Sequence, residues 1–130
     1  MEYAVPREAG LTALAEARQM LEASGLNVSF PIEIRVAPAD DVPLSTAYSR
    51  DSLYLAFHTH RYAEHERYFG LMEAVMKDHE GRPHWGKLHT RDAAGLAALY
   101  PRFGDFLALR DKLDPARVFA NAYLDRVLGA

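Results

Sequence analysis

Hydrophobic and polar residues alternate along several short stretches of the chain, a spacing typical of β-strands that are buried on one face. The alternation runs through residues 30–36 and again through residues 52–60. Residues 1–5 are short and compatible with a strand, and residues 82–89 are expected to be extended because a proline lies near their start. These stretches predict four strands.

Two longer segments repeat their hydrophobic residues at the spacing of an α-helix. Residues 7–24 form the first, and Ser24-Gly25 is a suitable C-terminal end for it. Residues 62–79 form the second. The apolar stripes consist of Leu11, Leu14, Ala17 and Leu21 in the first helix and of Phe69, Met72, Val75 and Met76 in the second.

The order of these elements is β-α-β-β-α-β, the ferredoxin-like arrangement. It predicts an α+β fold in which an antiparallel sheet has helices on one face and leaves the other face free. Residues 38–50 predict a loop, and residues 91–128 predict two or three short helices. We expect residues 1–90 to form the ferredoxin-like domain and residues 91–130 to pack on it as a helical C-terminal extension, in one structural unit.

The composition of the chain argues against several classes of protein function. The 130 residues include no cysteine, which excludes a disulfide scaffold and Cys-ligated zinc and fits a cytoplasmic location. No apolar run reaches the ~18 residues of a membrane-spanning helix, and no signal peptide opens the chain. Basic and acidic residues number 7 and 13 in residues 1–81 but 8 and 5 in residues 82–130. No dense basic stripe is interleaved with aromatics, so nucleic-acid binding is not expected.

Four polar side chains are candidates for chemistry on the free face of the sheet. Glu33 and Arg35 lie two residues apart on one strand, so they emerge on the same face about 7 Å apart. His58 and His60 share a face of the next strand. The residues alone favour a solvated sheet face, on which such pairs contribute less than about 1 kcal/mol each.

The segment Arg82–His89 carries the highest density of functional groups. In an extended strand Trp85 and Lys87 point to one face, whereas His84 and Gly86 point to the other. Gly86 lets a backbone or a flat ligand approach closely. A buried Trp beside a turn, with solvated neighbours, explains the same residues equally well.

Three motifs in this order give the chain a specific resemblance. Pro83-His84-Trp85-Gly86-Lys87, Glu33-Ile34-Arg35 and Phe119-Ala120-Asn121-Ala122-Tyr123-Leu124 are similar to motifs of the FAD-linked sugar-lactone and alditol oxidases. These are the aldonolactone oxidases and dehydrogenases of the vanillyl-alcohol-oxidase superfamily. The resemblance extends over essentially the whole chain.

The resemblance implies that the chain is the C-terminal, substrate-side portion of an FAD-dependent oxidoreductase. Such an enzyme oxidises a secondary alcohol of a sugar-1,4-lactone or an alditol by hydride transfer to the flavin. The implied catalytic residues are Glu33, Arg35 and Lys87, and the implied substrate contacts are Glu33, Arg35, His58 and His60. The implied cofactor contacts are Lys87, His84, Asn121 and Tyr123, although Asn121 could equally cap a helix and Tyr123 could belong to the core.

The cofactor itself is expected to be held mainly by an FAD-binding N-terminal domain, the implied partner of this chain. Pyrophosphate binding needs a Gly-rich turn or a backbone nest, and the eight glycines here are scattered singly. We therefore expect the chain to be inactive alone. A sheet face that normally covers a cofactor would be exposed, so we also expect self-association through the open sheet face.

Two other functions fit the residues. His58, His60 and His65 could hold a metal ion, but no Asp or Glu stands at a familiar metalloenzyme spacing, so no metal is predicted. A non-catalytic ferredoxin-like module that binds a small ligand or dimerises is the second alternative, because fold alone does not decide function.

Overall fold

The computed structural model describes residues 1–129, which contain a four-stranded sheet and five α-helices. None of the helices in this part of the chain is long and apolar enough to cross a bilayer. The strands are β1 (Glu2–Pro6), β2 (Glu33–Ala37), β3 (Ser52–Ala56) and β4 (Arg82–Pro83). The helices are α1 (Gly10–Ser24), α2 (Glu66–Asp78), α3 (Ala93–Ala97), α4 (Phe103–Leu113) and α5 (Ala122–Leu128).

The strands lie in the order β2-β3-β1-β4, and every neighbouring pair is antiparallel. This confirms the prediction of an α+β, ferredoxin-like sheet. In the register, Ala56 lies opposite both Glu2 of β1 and Glu33 of β2, and Tyr54 lies opposite both Ala4 and Arg35. Side chains of these residues therefore share one face of the sheet.

The opposite face packs against α1 and α2 and forms the main core. Alternate residues of β1 and β3 supply the sheet side of this core, since successive side chains of a strand point to opposite faces. Small residues on α1 let the helix approach the strands closely. The buried members are Met1, Tyr3, Val5, Leu53, Leu55 and Phe57 from the strands and their ends, and Ala13, Ala17, Tyr68, Met72, Val75 and Met76 from the helices.

Several predicted boundaries and burials were wrong. The first helix begins at Gly10 after a short 3₁₀ turn, so Leu11 falls outside the buried stripe and is 74% exposed. The second strand begins at Glu33 rather than residue 30. Its apolar residues Ile34 and Val36 are 48% and 56% exposed, because β2 lies at the sheet edge while α1 and α2 pack against β1 and β3.

The sheet face that carries Ala4 is partly covered rather than free. The buried guanidinium of Arg82 donates to the backbone carbonyls of Thr46, Tyr48 and Leu99, at 3.3, 2.8 and 3.0 Å. These bonds tie the 38–50 loop and the C-terminal extension to the sheet. A second apolar cluster forms there, from Leu96, Tyr100, Phe103, Val127 and Leu128, with Leu44 and Trp85 packed against it. The division at residue 90 stays a prediction, since this cluster draws on both sides of it.

A buried carboxylate fixes the chain at the end of the segment Arg82–His89, which we call the signature segment. Glu73 of α2 accepts hydrogen bonds from the Tyr3 hydroxyl and from the Thr90 amide and hydroxyl, the latter two at 2.7 and 2.6 Å. Burial alone would raise the pKa of Glu73, but the Thr90 and Tyr3 hydrogen bonds outweigh it and lower the pKa. Glu73 therefore holds residues 88–91 against α2 and the sheet.

Two helical glycines should respond in opposite ways to the same substitution. A Cβ at Gly10 would lie 2.6 Å from Leu53 Cδ1 and 2.8 Å from Leu53 Cβ, whereas a Cβ at Gly70 would meet nothing within 4 Å. We expect Gly10→Ala to lower the free energy of unfolding by about 1–3 kcal/mol through overpacking. Gly70→Ala should raise it by about 0.5–1 kcal/mol because alanine favours the helix. Urea denaturation of both variants checks this, and equal effects at the two positions would contradict the packing described here.

Candidate functional site

Glu33 and Arg35 lie together on the sheet face that the parity of β2 predicted. The register places them opposite Ala56 and Tyr54, while Ile34 points to the helix side. Arg35 Nε lies 3.3 Å from Glu33 Oε1, and both side chains are about half exposed. The guanidinium also stands over the Tyr54 ring, 5.9 Å from its centroid. The prediction of a shared face is confirmed.

Glu2 completes this group, and sequence analysis missed it. Its side chain is only 1% exposed, because β1 is an inner strand flanked by β3 and β4. Glu2 Oε1 accepts a hydrogen bond from Arg35 Nη2, and Glu2 Oε2 accepts one from Lys87 Nζ. The sequence did contain a signal for Glu2, because it is a charged residue inside the apolar stretch 1–5 and a buried charge requires partners.

The charges of this cluster balance. Burial by itself would raise the pKa of the Glu2 carboxyl, but hydrogen bonds and positive charge from Lys87 and Arg35 outweigh burial and hold the pKa below its ordinary value. Glu2 is therefore an anion between two cations. With Glu33 beside Arg35, the cluster contains two carboxylates and two cationic groups.

The signature segment reaches the cluster through a turn rather than a strand. The extended conformation predicted for residues 82–89 is wrong, because β4 ends at Pro83 and a turn follows in which the Lys87 amide donates to the His84 carbonyl at 3.1 Å. The prediction that Lys87 and His84 point to opposite faces is therefore also wrong. Lys87 bonds Glu2, and His84 lines a cavity with Glu2. Trp85 leaves the sheet instead and donates from Nε1 to the Leu44 carbonyl at 2.9 Å.

Two open cavities lie near the cluster, and Glu2 lines the smaller of them. One, of about 340 Å³, is lined by Glu2, Arg35, Val36, Ala37, Tyr54 and His84. The other, of about 510 Å³, is lined by Met1, Trp85, Gly86, Lys87, Leu88, His89, Tyr123 and Arg126. Each oxygen of the Glu2 carboxylate binds a cation that lines one of them: Arg35 in the smaller cavity and Lys87 in the larger. One buried anion thus holds a cation in the wall of each cavity.

The two candidate histidines have different surroundings. His58 Nε2 lies 3.6 Å from Glu33 Oε2, so His58 extends the cluster. His60 lies beyond the end of β3, where its ring stacks near Tyr62 with centroids 5.5 Å apart. The longer strand predicted to bring His60 alongside Glu33 was wrong. Within residues 1–129 no three His, Asp or Glu side chains converge in a way that could hold a metal ion.

The last of the three motifs, residues 119–124, is called the closing motif. It contributes a helix cap and one cavity wall. Asn121 Oδ1 accepts from the Leu124 amide at 2.9 Å and caps α5, and its cofactor contact stays a prediction. The Tyr123 hydroxyl donates to the Trp85 carbonyl and lies 3.2 Å from His89 Nε2. Since the single hydroxyl proton goes to Trp85, His89 Nε2 must donate, which leaves Nδ1 as an acceptor. That Nδ1 is buried and has no hydrogen-bond partner among the described residues.

His89 is neutral in this environment. Burial, followed by the nearby positive charge of Arg126, lowers the pKa of His89 to about 4. Sequence analysis did not single out His89 as a site residue, although it lies two residues after Lys87. Its ring lines the larger cavity and fixes the Tyr123 hydroxyl there.

Comparison with known proteins gives consistent matches over the whole chain. Residues 1–127 match the family described as D-arabinono-1,4-lactone oxidase. The chain is 50% identical over 129 residues to an L-gulono-1,4-lactone dehydrogenase of Mycobacterium tuberculosis, covering 99% of this chain and 30% of that protein. It is 40% identical over 131 residues to an L-gulonolactone oxidase of Bos taurus, covering 97% and 30%. An alditol oxidase of a Streptomyces species is 34% identical over 128 residues, covering 98% and 31%. The chain thus spans less than a third of the length of these relatives.

The buried position of Glu2 gives a stability expectation with a matched control. Because the pKa of Glu2 is lowered in the folded protein, its ionised form stabilises the fold above the ordinary value of 4.5, and that stabilisation is lost as the pH falls. We expect Glu2→Gln to lower the free energy of unfolding by about 1–3 kcal/mol at pH 7. Glu33→Gln, at a half-exposed position, should change it by less than about 0.5 kcal/mol. Denaturation at a series of pH values should show the Glu2→Gln difference shrinking below about pH 4; a constant difference would contradict the ion-pair assignment.

The tautomer and charge of His89 can be read directly by ¹⁵N nuclear magnetic resonance. We expect a neutral ring protonated at Nε2, with a titration midpoint near pH 4. Arg126→Gln should raise this midpoint, because the positive charge of Arg126 lowers the pKa, whereas Arg102→Gln, at the residue that precedes α4, should leave it unchanged. Protonation at Nδ1, or a midpoint near 6.5, would contradict the hydrogen-bond pattern.

Proposed function

The chain belongs to the D-arabinono-1,4-lactone oxidase family, and on that premise we propose that it supplies the substrate side of an FAD-dependent oxidoreductase. The proposed reaction oxidises a secondary alcohol of a sugar-1,4-lactone or an alditol. The observation that carries the proposal is the Glu33–Arg35–Glu2–Lys87 cluster, in which Glu2 and Arg35 line one cavity and Lys87 lines another. Because the chain spans about 30% of its relatives, an FAD-binding domain is the proposed partner.

Arg35 is the proposed anchor for the substrate oxygen. Its Nη2 is held by Glu2 and its Nε faces Glu33, while Nη1 has no hydrogen-bond partner within residues 1–129. A guanidinium held in this way keeps its plane fixed and presents its remaining N–H groups to the smaller cavity. These donors suit a hydroxyl oxygen that gains negative charge as it loses its proton, because preorganised donors stabilise developing charge best.

Glu33 is the proposed proton acceptor, or the group that orients the hydroxyl. Its carboxylate lies beside Arg35 and also 3.6 Å from His58 Nε2. A general base must lie within hydrogen-bond reach of the proton that it removes, and the half-exposed Glu33 side chain is accessible to a polyol on this face. His58 is then in place to take up or relay the proton. His60, which lies near Tyr62 rather than in the cluster, is proposed only as an outer substrate contact.

The larger cavity fits the polar edge of a flavin ring. Its wall combines the Lys87 ammonium, the Gly86 backbone and the neutral His89 ring, whose buried Nδ1 lacks a hydrogen-bond donor among the described residues. A flavin pyrimidine edge offers both carbonyl acceptors and an N–H donor, which these groups complement. When bound, FAD supplies the hydride acceptor for the alcohol oxidation. Lys87 would hold the edge where negative charge accumulates, Tyr123 would form the far wall, and His84 and Asn121 are proposed as further contacts.

The chain alone is proposed to be inactive. No cluster of glycines is present to hold a pyrophosphate, so the main FAD contacts are assigned to the partner domain. A cytoplasmic location, which the absence of cysteine favours, stays a prediction.

The assignment is tested by co-expressing the chain with a flavin-binding domain from a relative and measuring alcohol oxidation on a panel of lactones and alditols. Glu33→Gln and Arg35→Ala should each lower kcat/KM by about 100-fold or more, because each removes a group that contacts the reacting oxygen. Arg18→Ala, at an exposed position on α1, should leave the rate unchanged. If both site variants retained the rate of the control, the site would be wrongly assigned.

A further inference from the structure

The two edges of the sheet differ in how well they are protected. The β4 edge is two residues long, contains a proline and is covered by Tyr100, whose hydroxyl approaches the Pro83 carbonyl at 3.5 Å. The β2 edge has five residues, Glu33–Ala37, and no proline. Beyond its pairing with β3, no backbone group of β2 is hydrogen-bonded to another part of residues 1–129. Such an edge is a template for pairing with another strand.

Apolar surface surrounds this open edge. Ile34 and Val36 are about half exposed on the helix side of β2, and Leu11 of α1 is 74% exposed nearby in the same layer. A cavity of about 400 Å³ lined by Leu11, Leu14, Ala15, Arg18, Leu21 and Ile32 continues this surface. A strand added at the edge would cover Ile34 and Val36, which the chain's own helices leave exposed.

The sequence of β2 selects the register in which a second copy can pair with it. Two antiparallel copies keep their apolar faces matched only when the two-fold axis passes through a residue. An axis at Glu33 or at Arg35 places like charges directly opposite. An axis at Val36 places Pro38 opposite Ile34, two residues from the axis, and gives neither Glu33 nor Arg35 a partner of opposite charge. An axis at Ile34 pairs Glu33 with Arg35 of the second copy twice over, and its nearest proline, Pro31, lies three residues from the axis, opposite Ala37 at the end of the ladder.

We propose that the chain forms a two-fold symmetric dimer by antiparallel pairing of β2 with β2 of a second copy, centred on Ile34. The pairing satisfies the open backbone edge and makes two reciprocal Glu33–Arg35 pairs on one face. On the other face it packs Ile34 against Ile34 and Ile32 against Val36. This proposal places the interface at the sheet edge, whereas association through the sheet face, which is polar and partly covered, stays a prediction.

Cysteine cross-linking tests the register, because the chain has no native cysteine. Directly opposite residues in antiparallel strands have Cα atoms about 4.5–5.5 Å apart, within disulfide range. Ile34→Cys should therefore give a covalent dimer under mild oxidation. Val36→Cys is the matched control: its two copies would be offset by four residues, about 13 Å, and should not cross-link. Equal cross-linking of both variants, or cross-linking of Val36→Cys alone, would overturn the proposed register.

Sedimentation equilibrium of the 130-residue chain tests the association itself. The unmodified chain should show a concentration-dependent monomer–dimer equilibrium. Glu33→Lys places like charges opposite each other twice and should weaken the dimer by about tenfold or more. Asp105→Lys, the same charge reversal on α4, should leave the equilibrium unchanged. A chain that stays monomeric across micromolar concentrations, or equal weakening by both reversals, would overturn the proposal.

Discussion

The structure of the site depends on one buried carboxylate. Glu2 lies on an inner strand with almost no solvent contact, and a buried anion is tolerated only when it is paired and hydrogen-bonded. Its two partners come from distant parts of the chain, Arg35 on β2 and Lys87 in the turn after β4. The need to neutralise Glu2 thus fixes the edge strand and the signature segment relative to β1.

The residues of the signature segment have separate tasks. Arg82 and Trp85 bind backbone carbonyls of the 38–50 loop and hold it over the sheet. Lys87 turns back to Glu2, and His84 lines the cavity beside Arg35. His89 then fixes Tyr123 from the closing motif. The turn that follows Pro83 sends neighbouring side chains in different directions, so eight residues can make these separate contacts. The larger cavity is the product of this turn and α5 together.

The two edges of the sheet differ, and the proposed site and the proposed dimer interface both use β2. On the side of β4 the C-terminal extension covers the edge, whereas β2 is left open. Glu33 and Arg35 belong to the proposed substrate site and also determine how the open edge can pair. Their spacing of two residues places them on one face, and their opposite charges make the strand complementary to itself.

The order of elements, the α+β class and the shared face of Glu33 and Arg35 were all predictable from the pattern of residues along the chain. These follow from local periodicity, because a strand repeats every two residues and a helix every 3.6. Three features became visible only in the folded chain: Glu2 joins the cluster, His84 and Lys87 both come close to Glu2, and His60 lies beside Tyr62 instead. The physical reason is that these outcomes depend on where a strand ends and on which distant charge neutralises a buried one. Periodicity carries neither piece of information, since both arise from contacts between residues far apart in the chain.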